Sequence, residues 1–584
     1  MFKSLEQYSS GHQELPDSQL VWYLYGVGLE SLGRDRQPEQ ASVGAPGPDQ
    51  LLTRVDAAGL CFSDIKIIQL GGGHPRLHGR DLATDPIIPA HEAALTVVAV
   101  GENLQDKYAV GDRFVVQADI DFKGVNMAFG YMLPGALEQY VMVGEEMLAG
   151  DDGCYLVSVA SQTGHAEAAL AEPWACVVRA YRDVRRSGLK HGGCIWVVGS
   201  EGAEKLRYAL PGAEYLPVPR RIVLTDVPPA IAGQVRDLAG GGGVDVVTTA
   251  ALQEVDAASL VEKYTDGRGF DDIFVLGGGP DAIEATDPGL ARGGILTIVA
   301  DGPPSRPVNL DVGRVHYDST YYTGAPPSNP LAGYRKARGL APLAGGKTWI
   351  VGGAGPMGQM HLQMALEASS RPAVLLVSDI DDARLETAQE RFGPLAEENG
   401  VQMLTINPTQ MSPQQFDARL REIAPEGFDD VLTMAAVPAL IEQSAGYLAD
   451  DGVINLFAGV ARGTTAAIDA GDIVQRGIRL VGSSGSGIED LKQTIHLTET
   501  GQLSPARAVA GIGGLEAAWD GMEAVRDGTF AGKIIIYPQI SGLPLTRLED
   551  LAQVLPEVAD KLGPALLWTV EAEQALLAHF LLEK

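Results

Sequence analysis

Cysteine is scarce in this chain: Cys61, Cys154, Cys176 and Cys194 are the only four among 584 residues, too few for a disulfide framework. A conspicuous cysteine is then a metal ligand or a core residue. Positive charge is short as well, with 44 Lys and Arg against 75 Asp and Glu and a formal net charge of −31. That balance argues against nucleic acid and anionic membranes as partners, and suits solubility or a salt-tolerant source. No run of 18 apolar residues occurs, and Met1 to Gln7 lacks a basic region followed by an apolar core. The expectation is a cytoplasmic protein without a membrane span, and the length suggests three or four domains.

What the chain does contain is an internal repeat. Gly269-Phe270-Asp271-Asp272 returns as Gly427-Phe428-Asp429-Asp430, and the same offset of 158 relates Gly294 to Gly452 and Gly324 to Gly482. Upstream the offset is 153, pairing Trp196 with Trp349, Gly199 with Gly352 and Asp226 with Asp379. In the later copy the apolar run Thr348 to Gly352 leads into Gly353-Ala354-Gly355-Pro356-Met357-Gly358, a helical stretch from His361 to Ala368, and a strand from Ala373 to Ser378 ending in Asp379. Small residues let the backbone turn and approach a pyrophosphate, Gly358 lets helix pack on strand, and the helix N-terminus offers N–H groups and a positive dipole. Asp379, 21 residues after Gly358, can take the ribose hydroxyls and would repel a 2′-phosphate, which favours NAD over NADP. Arg384 can lie over the adenine or partly counter that repulsion.

The earlier copy reads Gly199-Ser200-Glu201-Gly202-Ala203-Glu204-Lys205 at the aligned place, so the first and third glycines are lost and acids stand where phosphates would sit. It is either a second nucleotide or regulatory site, or a fold kept for packing. Residues 1–190 carry short β-like runs such as Ala94 to Val100 and Arg113 to Gln117 and read as an irregular β-rich domain. Residues 191–330 and 345–485 alternate strand and helix, as parallel doubly wound sheets require, and Pro- and Gly-rich Ala325 to Gly345 links them. Residues 486–584 are expected to supply helices at Ile488–Glu499 and around Leu515–Asp527, the strand Gly532–Tyr537, and two terminal amphipathic helices, Leu545–Leu562 and Val570–Leu582, with Thr569 capping the second.

The chemistry-bearing residues lie in the N-terminal part. Gly59-Leu60-Cys61-Phe62-Ser63-Asp64 is followed by Pro89-Ala90-His91-Glu92, Val110-Gly111-Asp112-Arg113 and Ala171-Glu172-Pro173. A thiolate, an imidazole and a carboxylate suit zinc, and a catalytic zinc keeps one position open. With the glycine fingerprint and the closing Gly532-Lys533-Ile534, this ordered set resembles the zinc-dependent medium-chain dehydrogenases of the alcohol, sorbitol and threonine dehydrogenase type, from about Leu51 to Tyr537. The polyol and sugar-phosphate dehydrogenases resemble it most. The resemblance implies a GroES-like catalytic domain followed by two Rossmann-like domains, the first degenerate. It further implies catalytic zinc on Cys61 and His91, with Glu92 as a ligand or exchanging with water, Glu172 as a ligand or nearby carboxylate, and Ser63 passing a proton outward.

Three departures stand out. Ala90 replaces the glycine expected before His91, Lys66 stands where sorbitol-type members often carry a relay histidine, and Arg113–Gln139 holds no cysteine, which argues against a structural zinc. Between Cys61 and His91, Arg76 and Arg80 can receive a substrate phosphate or carboxylate, or can pair with local acids in a solvated loop. The expected activity is reversible hydride transfer between NAD and a polyol or sugar phosphate. A neutral alcohol or amino alcohol, or a non-catalytic NAD-binding sensor or scaffold, are the alternatives. The repeat also suggests either a monomer built as an internal pseudo-dimer, with Ser319–Thr323 and Arg479–Ser483 as edge strands, or a homo-oligomer.

Overall fold

The computed structural model describes residues 2–209, 218–240 and 243–582, which divide into two units, Met1–Arg179 with Gly485–Lys584, and Ala180–Ser484. No helix among the described residues is long and apolar enough to cross a membrane.

The first unit is built on an irregular, mostly antiparallel sheet whose centre is the strand Leu51–Leu60, buried along its whole length. Glu92–Val100 pairs with it on one side and Lys533–Tyr537 on the other, so the closing strand of the unit is drawn from the far end of the sequence. The helix Phe62–Leu70 follows directly on the central strand, and the helix His165–Ala180 carries Glu172. The terminal helix Val570–Leu581 begins at Thr569, whose side chain accepts from the Ala572 N–H, as the sequence implies. Its buried Glu573 accepts from the backbone N–H groups of His165 and Ala166, so a carboxylate satisfies the start of the Glu172 helix. The other expected terminal helix does not form as one piece. Thr546–Arg547 is a short strand, and the residues after it make two single turns, Leu551–Val554 and Pro556–Ala559, because Pro556 cannot donate to the preceding turn.

Asp56, buried beneath this helix start, accepts from Tyr8, Arg54 and Thr96 and lies 3.5 Å from His165. Burial works against its charge, but Arg54 and His165 outweigh burial and hold the carboxyl down at about 2. A depressed carboxylate contributes stability above its unfolded value near 3.8, and that contribution is lost as pH falls toward 2. Relative to Asp56→Asn, the wild-type chain is therefore expected to lose about 2 kcal/mol between pH 5 and pH 2. Denaturant midpoints for the two proteins across that range check this.

The second unit contains two six-stranded parallel sheets of identical strand order. The first runs Asp245–Thr248, Arg221–Thr225, Cys194–Gly199, Phe270–Leu276, Leu290–Val299, Tyr321–Ala325. The second runs Gln402–Ile406, Val374–Ser378, Lys347–Val351, Phe428–Thr433, Leu448–Leu456, Arg479–Gly482. Numbered along the chain, each is 3-2-1-4-5-6, the Rossmann order, with its ligand crevice at the switch point beside the first strand.

The repeated tetrapeptide has a structural reason. Asp271 accepts from the Cys194 N–H and Asp429 from the Lys347 N–H, each tying down the first strand of its sheet. Asp272 binds Arg186 and Asp430 binds Arg338 in the same way. Phe270 and Phe428 are fully buried under Trp196 and Trp349.

The two lobes meet with the reciprocity of a two-fold interface. With the 158-residue offset, Ala466 is the counterpart of Val308 and Ile468 of Leu310, and the antiparallel ladder between lobes pairs Val308 with Ile468 and Leu310 with Ala466. A Cβ on Gly324 would lie 2.4 Å from the Val474 Cα, and one on its counterpart Gly482 would lie 2.9 Å from the Cα of His316, itself the counterpart of Val474. The repeated glycines are thus places where each lobe's backbone touches the other. The hydrogen-bonded crossing runs through Val308–Asp311 and Thr465–Ile468; among the described residues no ladder joins the edges Tyr321–Ala325 and Arg479–Gly482, where the sequence alone would put it.

Candidate metal centre and cofactor loop

The metal centre assembles from neighbouring strands of the first unit. Cys61 ends the central strand and caps the following helix, whose Asp64 reaches back to the Cys61 N–H at 2.9 Å. His91 immediately precedes the next strand and Glu92 opens it, opposite Gly59. One ligand atom each from Cys61, His91 and Glu92 lie within 4.8 Å of one another. The other oxygen of Asp64 takes the His91 Nδ1 at 3.1 Å, which fixes the ring and leaves Nε2 facing Glu172 at 3.9 Å. Burial opposes an imidazolium here, but Asp64 outweighs it and raises His91 well above the usual histidine range. Glu172 is pushed up to about 7 by burial, against the pull of His91 and with the charges of Glu92 and Asp119 adding to it.

Gly59 is what lets Glu92 sit there: a Cβ on it would lie 2.0 Å from the Glu92 Oε2. Across that gap Lys533 Nζ donates to Glu92 Oε1 at 2.5 Å, while Oε2 is buried with no hydrogen-bond partner. A buried carboxylate oxygen without a partner, beside a thiol and an oriented imidazole, is the donor set that zinc accepts.

Ala90, immediately before His91, adopts φ +72 and is fully buried, with its carbonyl accepting from the Ala136 N–H. The left-handed backbone explains why glycine belongs here and why alanine is strained. Ala90→Gly is expected to stabilise the protein by about 0.5–1 kcal/mol, measured by chemical denaturation.

Of the two arginines read from the sequence, only Arg76 is joined to this centre. Its guanidinium lies over Tyr131 at 5.2 Å and donates to Asp119, and the Tyr131 ring is 6.0 Å from that of His91. Arg80 instead spends its donors on Asp85 and on the carbonyls of Met132 and Pro86, which makes it a clasp for its own loop. Ser63 is half-buried in the first turn after Cys61, and Lys66 is exposed.

In the second unit, Pro356–Glu367 is a helix whose first residue is proline and whose N-cap is Gly355. A Cβ on Gly358 would lie 2.4 Å from the Gly353 carbonyl oxygen, whereas one on Gly355 would meet nothing within 4 Å. The first and third glycines, Gly353 and Gly358, close the strand–helix packing, and Gly355 leaves room in front of the helix N-terminus, where Pro356 and Met357 form the first turn. Asp379, at the end of the neighbouring strand, accepts from the Ala354 N–H at 3.1 Å, so its carboxylate is held against the loop. Arg384 lies 3.6 Å from Asp381. In the earlier lobe the Ser200 hydroxyl donates to the Leu276 carbonyl and accepts from the Gly279 N–H, stitching the switch point shut. Asp226 accepts from the Leu252 N–H and caps a loop.

Comparison with known proteins agrees with this architecture. Residues 47–150 match the alcohol dehydrogenase GroES-like domain, and residues 356–500 match the zinc-binding dehydrogenase domain. The uncharacterized protein YggP of Escherichia coli is 25% identical over 91% of this chain and 92% of its own length. The L-sorbose 1-phosphate reductase of Klebsiella pneumoniae is 24% identical over 94% and 95%. The mannitol-1-phosphate 5-dehydrogenase of Aliivibrio fischeri is 29% identical over 47% of this chain and 68% of its own. The chain belongs to the medium-chain dehydrogenases/reductases. It is an oxidoreductase of the alcohol and polyol dehydrogenase kind.

Three supporting residues were not given roles from the sequence: Asp64, Lys533 and Tyr131. The first two were visible in it, Asp64 three residues after Cys61 at the capping position and Lys533 in the closing Gly-Lys-Ile, but their partners are set by strand pairing.

Proposed function

We propose that the protein oxidises a hydroxyl of a phosphorylated polyol, reversibly, with NAD as hydride acceptor and one zinc held by Cys61, His91 and Glu92. The convergence of those three donors around an unpartnered buried carboxylate oxygen carries this reading. Zinc bound there would supply the Lewis acidity that lowers the pKa of the substrate hydroxyl, and NAD the redox chemistry. The chain's own residues do the rest. Asp64 keeps the Nε2 of His91 available by holding Nδ1, and Lys533 donates to Glu92 and keeps it pointed over Gly59. Ser63, two residues from Cys61, takes the substrate proton toward solvent; Glu172 sits across from His91 as a further ligand or as a charge that orients the substrate.

In the cofactor lobe Gly353, Gly355 and Gly358 admit the pyrophosphate to the helix that starts at Pro356 and Met357, and Asp379 takes the adenosine ribose hydroxyls. The carboxylate favours NAD over NADP. Arg384 lines the adenine side.

Arg76 supports the phosphorylated substrate, because a guanidinium fork set on Tyr131 beside the metal centre suits a phosphate. Two relatives named for their action on a polyol phosphate or a sugar phosphate point the same way. Arg76→Ala is expected to raise KM for a hexitol 1-phosphate about 10–100-fold and to leave kinetics with the unphosphorylated hexitol within about twofold. Equal effects on both substrates would reject the phosphate assignment, and a wild-type preference for the neutral alcohol would favour a neutral-alcohol dehydrogenase instead.

A further inference from the structure

In a chain of net charge −31, one cavity of about 550 Å³ in the second unit is lined by Arg185, Arg335, Lys336, Arg338, Arg476 and Arg479, against two carboxylates, Asp450 and Asp451. It lies along the seam of the two lobes, between Tyr322–Gly324 of one and Ile473–Arg479 of the other. It includes none of the glycine fingerprint and neither Asp379 nor Arg384.

Some of these cations already have acids. Arg338 is bound to Asp430 and Arg476 to Asp450 and Asp472. Arg185 donates to the carbonyls of Gly333 and Arg335, and among the described residues neither it, Arg335 nor Lys336 forms an ion pair. Arg479 is the informative one. Its side chain is 10% exposed, its nearest carboxylate is Asp183 at 3.8 Å, and its Nη2 is buried with no hydrogen-bond partner. Burial, reinforced by Arg338 and Arg185, lowers its pKa despite Asp183.

A buried guanidinium nitrogen without an acceptor is costly unless something supplies one. The repeat shows that the lobe pairing does not require it, because the counterpart of Arg479 at the 158-residue offset is Tyr321. Arg335 and Lys336 likewise belong to the connection between the repeats rather than to either copy, whereas Arg338 repeats Arg186. Charge has been added to one face of a framework that is otherwise duplicated.

We propose that this cavity binds a small phosphate-bearing anion, held by Arg479 from inside and by Arg185, Arg335 and Lys336 from the rim. Guanidinium forks bind phosphate oxygens in pairs, and the cavity has room for a sugar phosphate or a nucleotide. Because the walls come from both lobes, occupancy favours their pairing and stabilises the unit.

The test is thermal unfolding of the full chain with inorganic pyrophosphate, against sodium chloride at matched ionic strength. A rise in Tm of about 2 °C or more over the chloride control is expected. Arg335→Ala/Lys336→Ala, which alters two exposed side chains, removes that rise. Arg479→Met removes it too without lowering the unliganded Tm, since the variant loses a buried guanidinium nitrogen that has no hydrogen-bond partner and only a long contact to Asp183. Gly355→Asp and Arg76→Ala keep it, which separates this cavity from the fingerprint and from the metal centre. A shift no larger than chloride gives, a shift that survives both cavity variants, or one abolished by Gly355→Asp would each overturn the proposal.

Discussion

Cys61→Ala is expected to lower kcat/KM by at least about 10³-fold while the protein stays folded. The thiolate is the soft donor of the set, and without it a metal would be left with His91 and Glu92, one of whose oxygens is already taken by Lys533. Folding survives for a local reason. Cys61 is half-buried, and the helix that follows keeps its reciprocal tie through the Asp64 carboxylate to the residue-61 N–H. The measurement is steady-state NAD reduction with parallel thermal unfolding. Activity within tenfold of wild type in the folded variant would remove Cys61 from the chemistry.

Gly355→Asp is the second large effect: NADH binding is expected to weaken by at least about 100-fold with Tm little changed. Gly355 has φ −74, and a Cβ there meets nothing within 4 Å, so the fold accommodates the side chain. The same side chain puts a carboxylate where the helix N-terminus would face a pyrophosphate. Gly358→Val gives the contrasting result. Its Cβ would lie 2.4 Å from the Gly353 carbonyl, so the lobe itself destabilises. Fluorescence titration with NADH and unfolding curves separate the two; unchanged NADH affinity in Gly355→Asp would place the cofactor elsewhere.

Much of the fold was legible in the sequence because it is carried by local pattern. The fingerprint, the strand ending at Asp379 and the repeat of Gly-Phe-Asp-Asp each specify their own geometry, and the structure adds that the tetrapeptide is retained for packing and strand anchoring. That is why it persists in the lobe that has Ser200 in place of the first glycine. The helix read across Leu545–Leu562 failed because apolar periodicity was followed through Pro556, a residue that ends a turn. The two-fold seam was legible only in part. The repeat implied it and put it at Ser319–Thr323 and Arg479–Ser483, but which strands bond across it depends on how two sheets dock, which no local pattern records.

The candidate site divides the same way. Cys61, His91 and Glu92 were readable as residue types in order, and their convergence comes from the pairing of Leu51–Leu60 with Glu92–Val100. Lys533 is more than 400 residues from Glu92 in sequence, and only the closing strand brings them together. Arg80 was a cation in a suggestive place whose donors are consumed by its own loop.

The central claim is tested most directly by stripping metal from the full chain with a chelator and titrating zinc back while following NAD reduction on a hexitol 1-phosphate. The account predicts little activity in the metal-free protein, rising linearly to a plateau at about one zinc per chain. Full activity in protein shown by elemental analysis to hold no metal would contradict it.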